Sequence, residues 1–372
     1  MSDVPSIGFA CLWDPDPRTT WSYTPWNLRA GMRAAGTADI VDVGLELPPR
    51  TRTALKALHV RRRAGRLVTT WHYSRLTDAY CGRALERSAA RAGCEAVLQI
   101  QDLAPLSVPY FLYQDLSWDA LLADDDPEAL LNVSPSTMRR RRERQLAIYE
   151  QATGILAMSA WFARSLVEHS GLSPDKVHVV RPGLTSGRHT ATGISRREGR
   201  RTRLLFVGRD FHRKGGDLVV EALTVLRRDV DPAITLTVAG PREWPLRGEP
   251  PPGVEFAGPL PTAEIARLYD SHDLFVMPSR MEPFGIVFAE ALSRGLPCVG
   301  RDAYAMPELI TPGVNGGLVR GDDATDLAKV IAEVLGDDAV YHECGERARE
   351  TAEWFSWERA GQEAISAISR NP

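Results

Sequence analysis

The sequence predicts an α/β protein made of two doubly wound domains in series. Three observations lead there. The chain has 372 residues, too many for one ordinary core when domains run to about 150 residues each. Short apolar runs of strand length alternate with helical patterns along the chain, as expected for parallel sheets covered by helices on both faces. The alternation stops once, across residues 185–201, and begins afresh at Arg203. Charged residues make up 25% of the chain and hydrophobic ones 44%, the balance of a soluble globular protein. A net charge of -3 speaks against a dedicated nucleic-acid binder, which carries a basic excess.

The first half opens on an apolar run at residues 6–13, read as a buried strand, followed by a loop rich in Asp and Pro. Residues 24–36 read as a helix closed by glycine, and 39–43 as a second strand. A basic stretch at 50–66 precedes a helical pattern at 77–92, then strands at 95–101 and 109–114. A long helix over 136–152 leads into the apolar segment 154–158 and a helix from Ala160, and the segment 177–183 ends this half. Residues 185–201 are polar, carry Ser, Gly and Arg, and show no apolar face, so they read as the linker. The second half repeats the pattern. Strands are expected at 203–208, 233–239, 253–257 and 274–278, with helices at 216–228, 262–269 and 324–335. Doubly wound sheets bind ligands at the carboxyl ends of their strands, so a cleft between the halves is the expected site.

The most informative segment runs over residues 282–300. Glu282 and Glu290 stand with seven residues between them at the start of a helical pattern, with Pro283 and Gly285 at its entrance and Gly295-Leu-Pro297 at its end. A helix entrance offers unpaired N–H groups to an anion, and carboxylates accept hydrogen bonds from hydroxyls. Together these suit a sugar nucleotide. The loop after the first strand of the second half, from Gly208 to Gly216, holds His212 with Arg209, Arg213 and Lys214. Fixed cations on a strand-to-helix turn neutralise a diphosphate without a metal. A solvated basic loop is the plain alternative.

Gly208-Arg209 with Lys214-Gly215, followed by Glu-Pro-Phe-Gly at 282–285 and Glu290-Ala291, resembles the retaining nucleotide-sugar glycosyltransferases of family 4. Residues 158–166, 177–183 and 353–359 are similar to other segments of that family. The resemblance implies the GT-B fold, two Rossmann-like domains facing each other across a cleft. It divides the chain into an acceptor domain at 1–184, a linker at 185–201 and a donor domain at 202–355, with a helix at about 356–372 packing back on the first domain. It implies transfer of a hexose-type sugar from a nucleoside-diphosphate sugar to a hydroxyl acceptor (a glycan, a lipid or a small molecule). No metal or other cofactor is implied. Arg209 and Lys214 would hold the donor's diphosphate after Gly208, and Glu290 would accept from the ribose. Glu282 would lie nearer the sugar, with the backbone of Phe284, Gly285 and Ile286 beside it. A nucleotide-sugar epimerase, a phosphorylase, or a binding protein without activity are the alternatives. A dinucleotide oxidoreductase is disfavoured because no G-x-G-x-x-G turn follows a first strand.

In the first half, Ser22, Tyr23 and Thr24 stand in the loop after the first strand, where many relatives carry a glycine pair. They are candidates for a hydroxyl-lined acceptor pocket, with loop packing as the alternative. Asp102 and Asp115 each follow a strand and so point to the same end of the sheet. Asp115 is the stronger candidate for touching the sugars, with a helix N-cap as its other reading. His72 among aromatics reads as a packed histidine. The acidic triplet at 124–126 reads as a helix start rather than a metal site. The basic runs at 50–66 and 139–144 read as solvated faces, with peripheral contact to an anionic membrane as the alternative. Five scattered cysteines, the absence of a signal-like start and the lack of a long apolar span place the expected location in the cytoplasm.

Overall fold

The computed structural model describes residues 4–63, 66–123, 133–185 and 200–370. The linker expected at 185–201 lies largely outside the described residues, as does the acidic triplet at 124–126. The chain divides into two compact units, Met1–Gly183 with Trp357–Pro372, and Leu184–Ser356.

In the first unit six parallel strands lie in the spatial order Val177–Val179, Gly154–Ala157, Tyr110–Gln114, Ala96–Ile100, Ser6–Ala10 and Asp39–Asp42. Numbered along the chain, the order is 2-1-3-4-5-6. The progression reverses between Ser6–Ala10 and Ala96–Ile100, which makes that crevice the switch point of the sheet. The middle strands are buried throughout, as strands covered on both faces must be, with Phe9, Leu98, Phe111 and Leu112 fully enclosed. The basic stretch from Arg50 folds as the Pro49–Leu58 helix and an antiparallel hairpin of Val60–Arg63 with Arg66–Thr69. Pro49 at the first helical position accounts for the start.

The helix Thr24–Ala35 ends at Gly36, which is left-handed at φ 66°, and it packs against the last helix, Trp357–Ser369. Glycine makes that crossing close. A methyl group on Gly31 would collide with the Trp357 carbonyl, and one on Gly361 with the Gly31 backbone.

In the second unit the six parallel strands lie in the order Val254–Gly258, Thr235–Ala239, Arg203–Val207, Leu274–Val276, Cys298–Arg301 and Gly316–Val319. This is 3-2-1-4-5-6, with the switch point between Arg203–Val207 and Leu274–Val276. The Leu274 strand stops before Pro278, which has no N–H for the ladder. The two glutamates do not both sit at a helix start. The helix is short, Ile286–Leu292, and begins after Gly285, at φ 86°. Glu282 therefore precedes it on a loop, while Glu290 lies inside it.

Candidate functional site

The switch point of the second unit is where the sequence motifs meet. The strand Arg203–Val207 delivers Gly208 and the cationic loop, and the neighbouring strand Leu274–Val276 delivers the loop to Glu282. Lys214 Nζ donates to Glu282 Oε2 at 3.0 Å, and both side chains are largely buried. Gly215 allows this approach. It is left-handed at φ 75°, and a side chain there would strike the Pro278 carbonyl. Arg209 is exposed and makes no ion pair among the described residues. Lys214 is thus held in place, while Arg209 presents its charge to solvent.

The two loops are tied together by their backbones and by a charge network. Arg280 N–H donates to the Arg213 carbonyl at 2.8 Å, and the Arg213 guanidinium donates to the Met281 carbonyl. Ser279 Oγ donates to the Met281 carbonyl at 2.9 Å. Arg280 pairs with Asp217 at 2.8 Å and Asp322 at 2.9 Å. Asp322 also pairs with Arg301, whose Nε donates to the Ser279 carbonyl at 3.0 Å. Partial burial pushes Asp322 upward, yet the bonds from Arg301 and Arg280 outweigh it and hold the carboxyl below its ordinary range.

Glu290 is 7% exposed. Tyr269 Oη donates to its Oε2 at 3.3 Å, and Thr185 also donates to it. Burial raises its pKa above the usual carboxylate value, and these bonds only partly offset the rise. Phe284 is buried and meets Phe355 edge-on at 6.1 Å between ring centres. The helix that starts at Ile286 has no side-chain cap, its preceding residue being Gly285.

The first unit has its own concavity at its switch point, a cavity of about 570 Å³. Residues following three strands line it: Trp13 and Trp21, Asp102, and Asp115. Asp102 and Asp115 are therefore brought together, whereas Ser22, Tyr23 and Thr24 lie outside the lining and Thr20 and Trp21 take that place. The backbone there is unusual. Trp21, Ser22 and Tyr23 are all left-handed, at φ 41°, 55° and 68°, a region that non-glycine residues seldom enter and that is strained for bulky ones. The loop adopts a glycine-type path without glycine, and Trp21 reaches the Tyr113 ring edge-on at 6.4 Å.

The basic run at 139–144 has a role that charge counting missed. Four of its arginines serve the first unit as structural ties, which corrects the reading of this run as a solvated face. Arg140 donates to the Tyr73 carbonyl, and Arg142 pairs with Asp119. Arg141, only 9% exposed, pairs with Asp78 at 2.8 Å, and Arg144 donates to the Asp102 carbonyl at 2.8 Å. Burial raises the Asp102 pKa even with the Arg141 and Arg144 guanidiniums at 3.6 Å. His72 lies on Trp71, with 3.7 Å between ring centres, and burial lowers its pKa. Helical spacing along Pro135–Gln151 brings these arginines to carboxylates that are far away in sequence, so no local pattern announces them.

Among the described residues, no group of three or more His, Cys, Asp or Glu side chains could hold a metal ion, and no helix is long and apolar enough to cross a membrane.

A doubly wound sheet thus brings cations on its first loop and a carboxylate on its fourth together at the switch point. The family described as Glycosyl transferases group 1 matches residues 190–351, and the chain belongs to that family. A D-inositol 3-phosphate glycosyltransferase of Corynebacterium aurimucosum is 30% identical over 282 residues, covering 67% of this chain and 66% of that protein. The chain spans less than two thirds of the length of this and the other curated relatives it matches. Among solved structures, sucrose-phosphate synthase from Thermosynechococcus elongatus superposes with a TM-score of 0.71 at 18% identity, covering 98% of both chains. Anabaena HepE, solved with UDP and glucose, superposes at 0.65 with 16% identity, covering 98% of this chain and 100% of the other. At such identities the likeness speaks for the fold. The fold class expected from the sequence, two Rossmann-like doubly wound units of the GT-B type, is the one found.

Proposed function

We propose that the protein transfers a hexose-type sugar from a nucleoside-diphosphate sugar to a hydroxyl acceptor, with retention at the anomeric carbon and without a metal. The observation that carries this reading is the Lys214–Glu282 pair at 3.0 Å across the switch point of the second unit. Lys214 and Arg209 would stabilise the charge that grows on the departing diphosphate. Glu282, tied to Lys214, would orient the sugar hydroxyls, and Glu290 the ribose, with Phe284 to Ile286 shaping the wall between them. With no covalent nucleophile apparent among the described residues, the acceptor would attack from the face the diphosphate leaves, and the leaving phosphate would take the acceptor's proton. Asp115, in the first unit, would act on the acceptor side. The relatives named as glycosyltransferases and the HepE structure holding UDP-glucose support a nucleotide-sugar donor. Five buried free cysteines support a reducing cytoplasm as the setting.

The test is transfer from UDP-glucose and related donors in the presence and absence of EDTA, with the anomeric configuration of product and donor compared by NMR. Lys214→Ala is expected to lower turnover about 100-fold or more, measured well below its melting transition, which should also fall because Glu282 is left largely buried without its partner. Wild-type turnover in that variant removes Lys214 from the mechanism. Loss of activity with EDTA that a divalent cation restores removes the metal-free reading.

A further inference from the structure

We propose that the cavity of the first unit takes an unphosphorylated, amine-bearing polyhydroxyl ring as the sugar acceptor, a proposal that rests on the glycosyl-transfer reading above. Size comes first. A volume of about 570 Å³ falls in the range of small-molecule pockets and admits a mono- or disaccharide-sized ring. The walls come second. Trp13, Trp21, Trp71, Tyr73 and Trp118 offer flat apolar surfaces to the C–H faces of such a ring. Trp21 owes its place to the strained backbone, so strain and cavity are one feature.

Charge decides the class of ring. The lining holds four carboxylates, Asp14, Asp78, Asp102 and Asp115, against two guanidiniums, Arg52 and Arg141. Both guanidiniums are already engaged, Arg52 with Asp14 at 3.5 Å and Arg141 with Asp78 at 2.8 Å. Arg144, outside the lining, is spent on Asp78 at 3.3 Å and on Asp102. His72 is neutral near pH 7, because burial lowers its pKa. No cation of the lining is left for a phosphate, which would bring a charge of about -1.5 to -2 among these carboxylates.

An ammonium meets the opposite conditions. It supplies three donors and a positive charge, and the cavity supplies acceptors. One of these, Asp102 Oδ2, is buried and accepts no hydrogen bond, the nearest guanidiniums, those of Arg141 and Arg144, standing at 3.6 Å. A buried acceptor without a hydrogen bond is destabilising, so a ligand donor that reaches it offsets that cost. This reading separates the chain from the relatives named for inositol 3-phosphate.

The test is isothermal titration of the full chain with three rings of similar size and different charge: 2-deoxystreptamine, myo-inositol and D-inositol 3-phosphate. UDP is titrated into the same preparation. The diaminocyclitol is expected to bind about tenfold more tightly than myo-inositol, with the phosphorylated ring weakest. Raising the salt should narrow the gap between the first two. Asp115→Asn should remove most of the amine's advantage over myo-inositol. Asp102→Asn should do the same if it melts like the wild type, and Asp115→Asn suffices if it does not. Equal affinities for amine and neutral ring, or tighter binding of the phosphorylated one, overturn the proposal. So does binding of UDP with none of the three rings, an outcome that leaves the donor reading standing. Ring binding in the expected order without UDP binding does the reverse.

Discussion

The two units meet the same structural demand, holding loops at the carboxyl ends of strands beside a switch point, and they meet it by different physics. In the second unit the loops carry glycine where they touch. They are laced by partly exposed pairs such as Arg280 with Asp322 and Asp217. In the first unit charges such as Arg141 are buried, and three consecutive non-glycine residues are left-handed. The difference teaches where stability and function part. Exposed pairs contribute little to folding but fix geometry, whereas buried charges are costly to disturb.

The sharpest test of that contrast is Arg141→Ala, which leaves Asp78 and Asp102 buried beside one guanidinium fewer. It should destabilise the first unit by about 3–5 kcal/mol, read as an early transition in urea. A loss below about 1 kcal/mol would mean that the buried network is no more costly to break than a surface pair. Asp322→Asn is its counterpart. Here folding should change by less than about 1 kcal/mol, while kcat falls about tenfold through a loosened Glu282 loop and nucleotide affinity moves less. A fall in melting temperature matching that of Arg141→Ala would erase the distinction between the units.

Glu290 provides a titration test. Its folded pKa is raised above the unfolded value, so the native state binds the extra proton and stability falls as pH rises between those two values. Glu290→Gln should therefore flatten that slope and raise the melting temperature at pH 7 more than at pH 4. An equal rise at both pH values would show that its carboxyl titrates as it does in the unfolded chain. The smallest effect is expected at Ser22, which is exposed and left-handed. Ser22→Gly should stabilise by about 1 kcal/mol through relief of strain, seen as a rise in melting temperature. No rise would mean that the loop carries no strain at that residue.

The fold was legible because it is written in period and punctuation. Apolar runs at 96–100, 110–114 and 203–207 need no distant partner to be read as strands. The Lys214 and Glu282 loops were legible for a related reason, since each follows a strand whose end is visible. The site in the first unit was not. Arg141 meets Asp78, which lies 63 residues away, and a run of arginines seen alone reads as a solvated face. Trp21, Ser22 and Tyr23 carry no mark of their backbone conformation, because only glycine advertises it. The burial of Glu290 was equally hidden, since it depends on Tyr269 from a different helix.

The crossing of the Thr24–Ala35 and Trp357–Ser369 helices has a consequence for biosynthesis. The first unit begins with early residues and is completed by some of the last, with all of the second unit translated in between. At about 5–20 residues per second, the groove along Gly31 stays open on the ribosome until its partner emerges. The second unit can therefore mature first, against the usual N-to-C order. The close glycine contact at Gly31 and Gly361 is then the final seam to close.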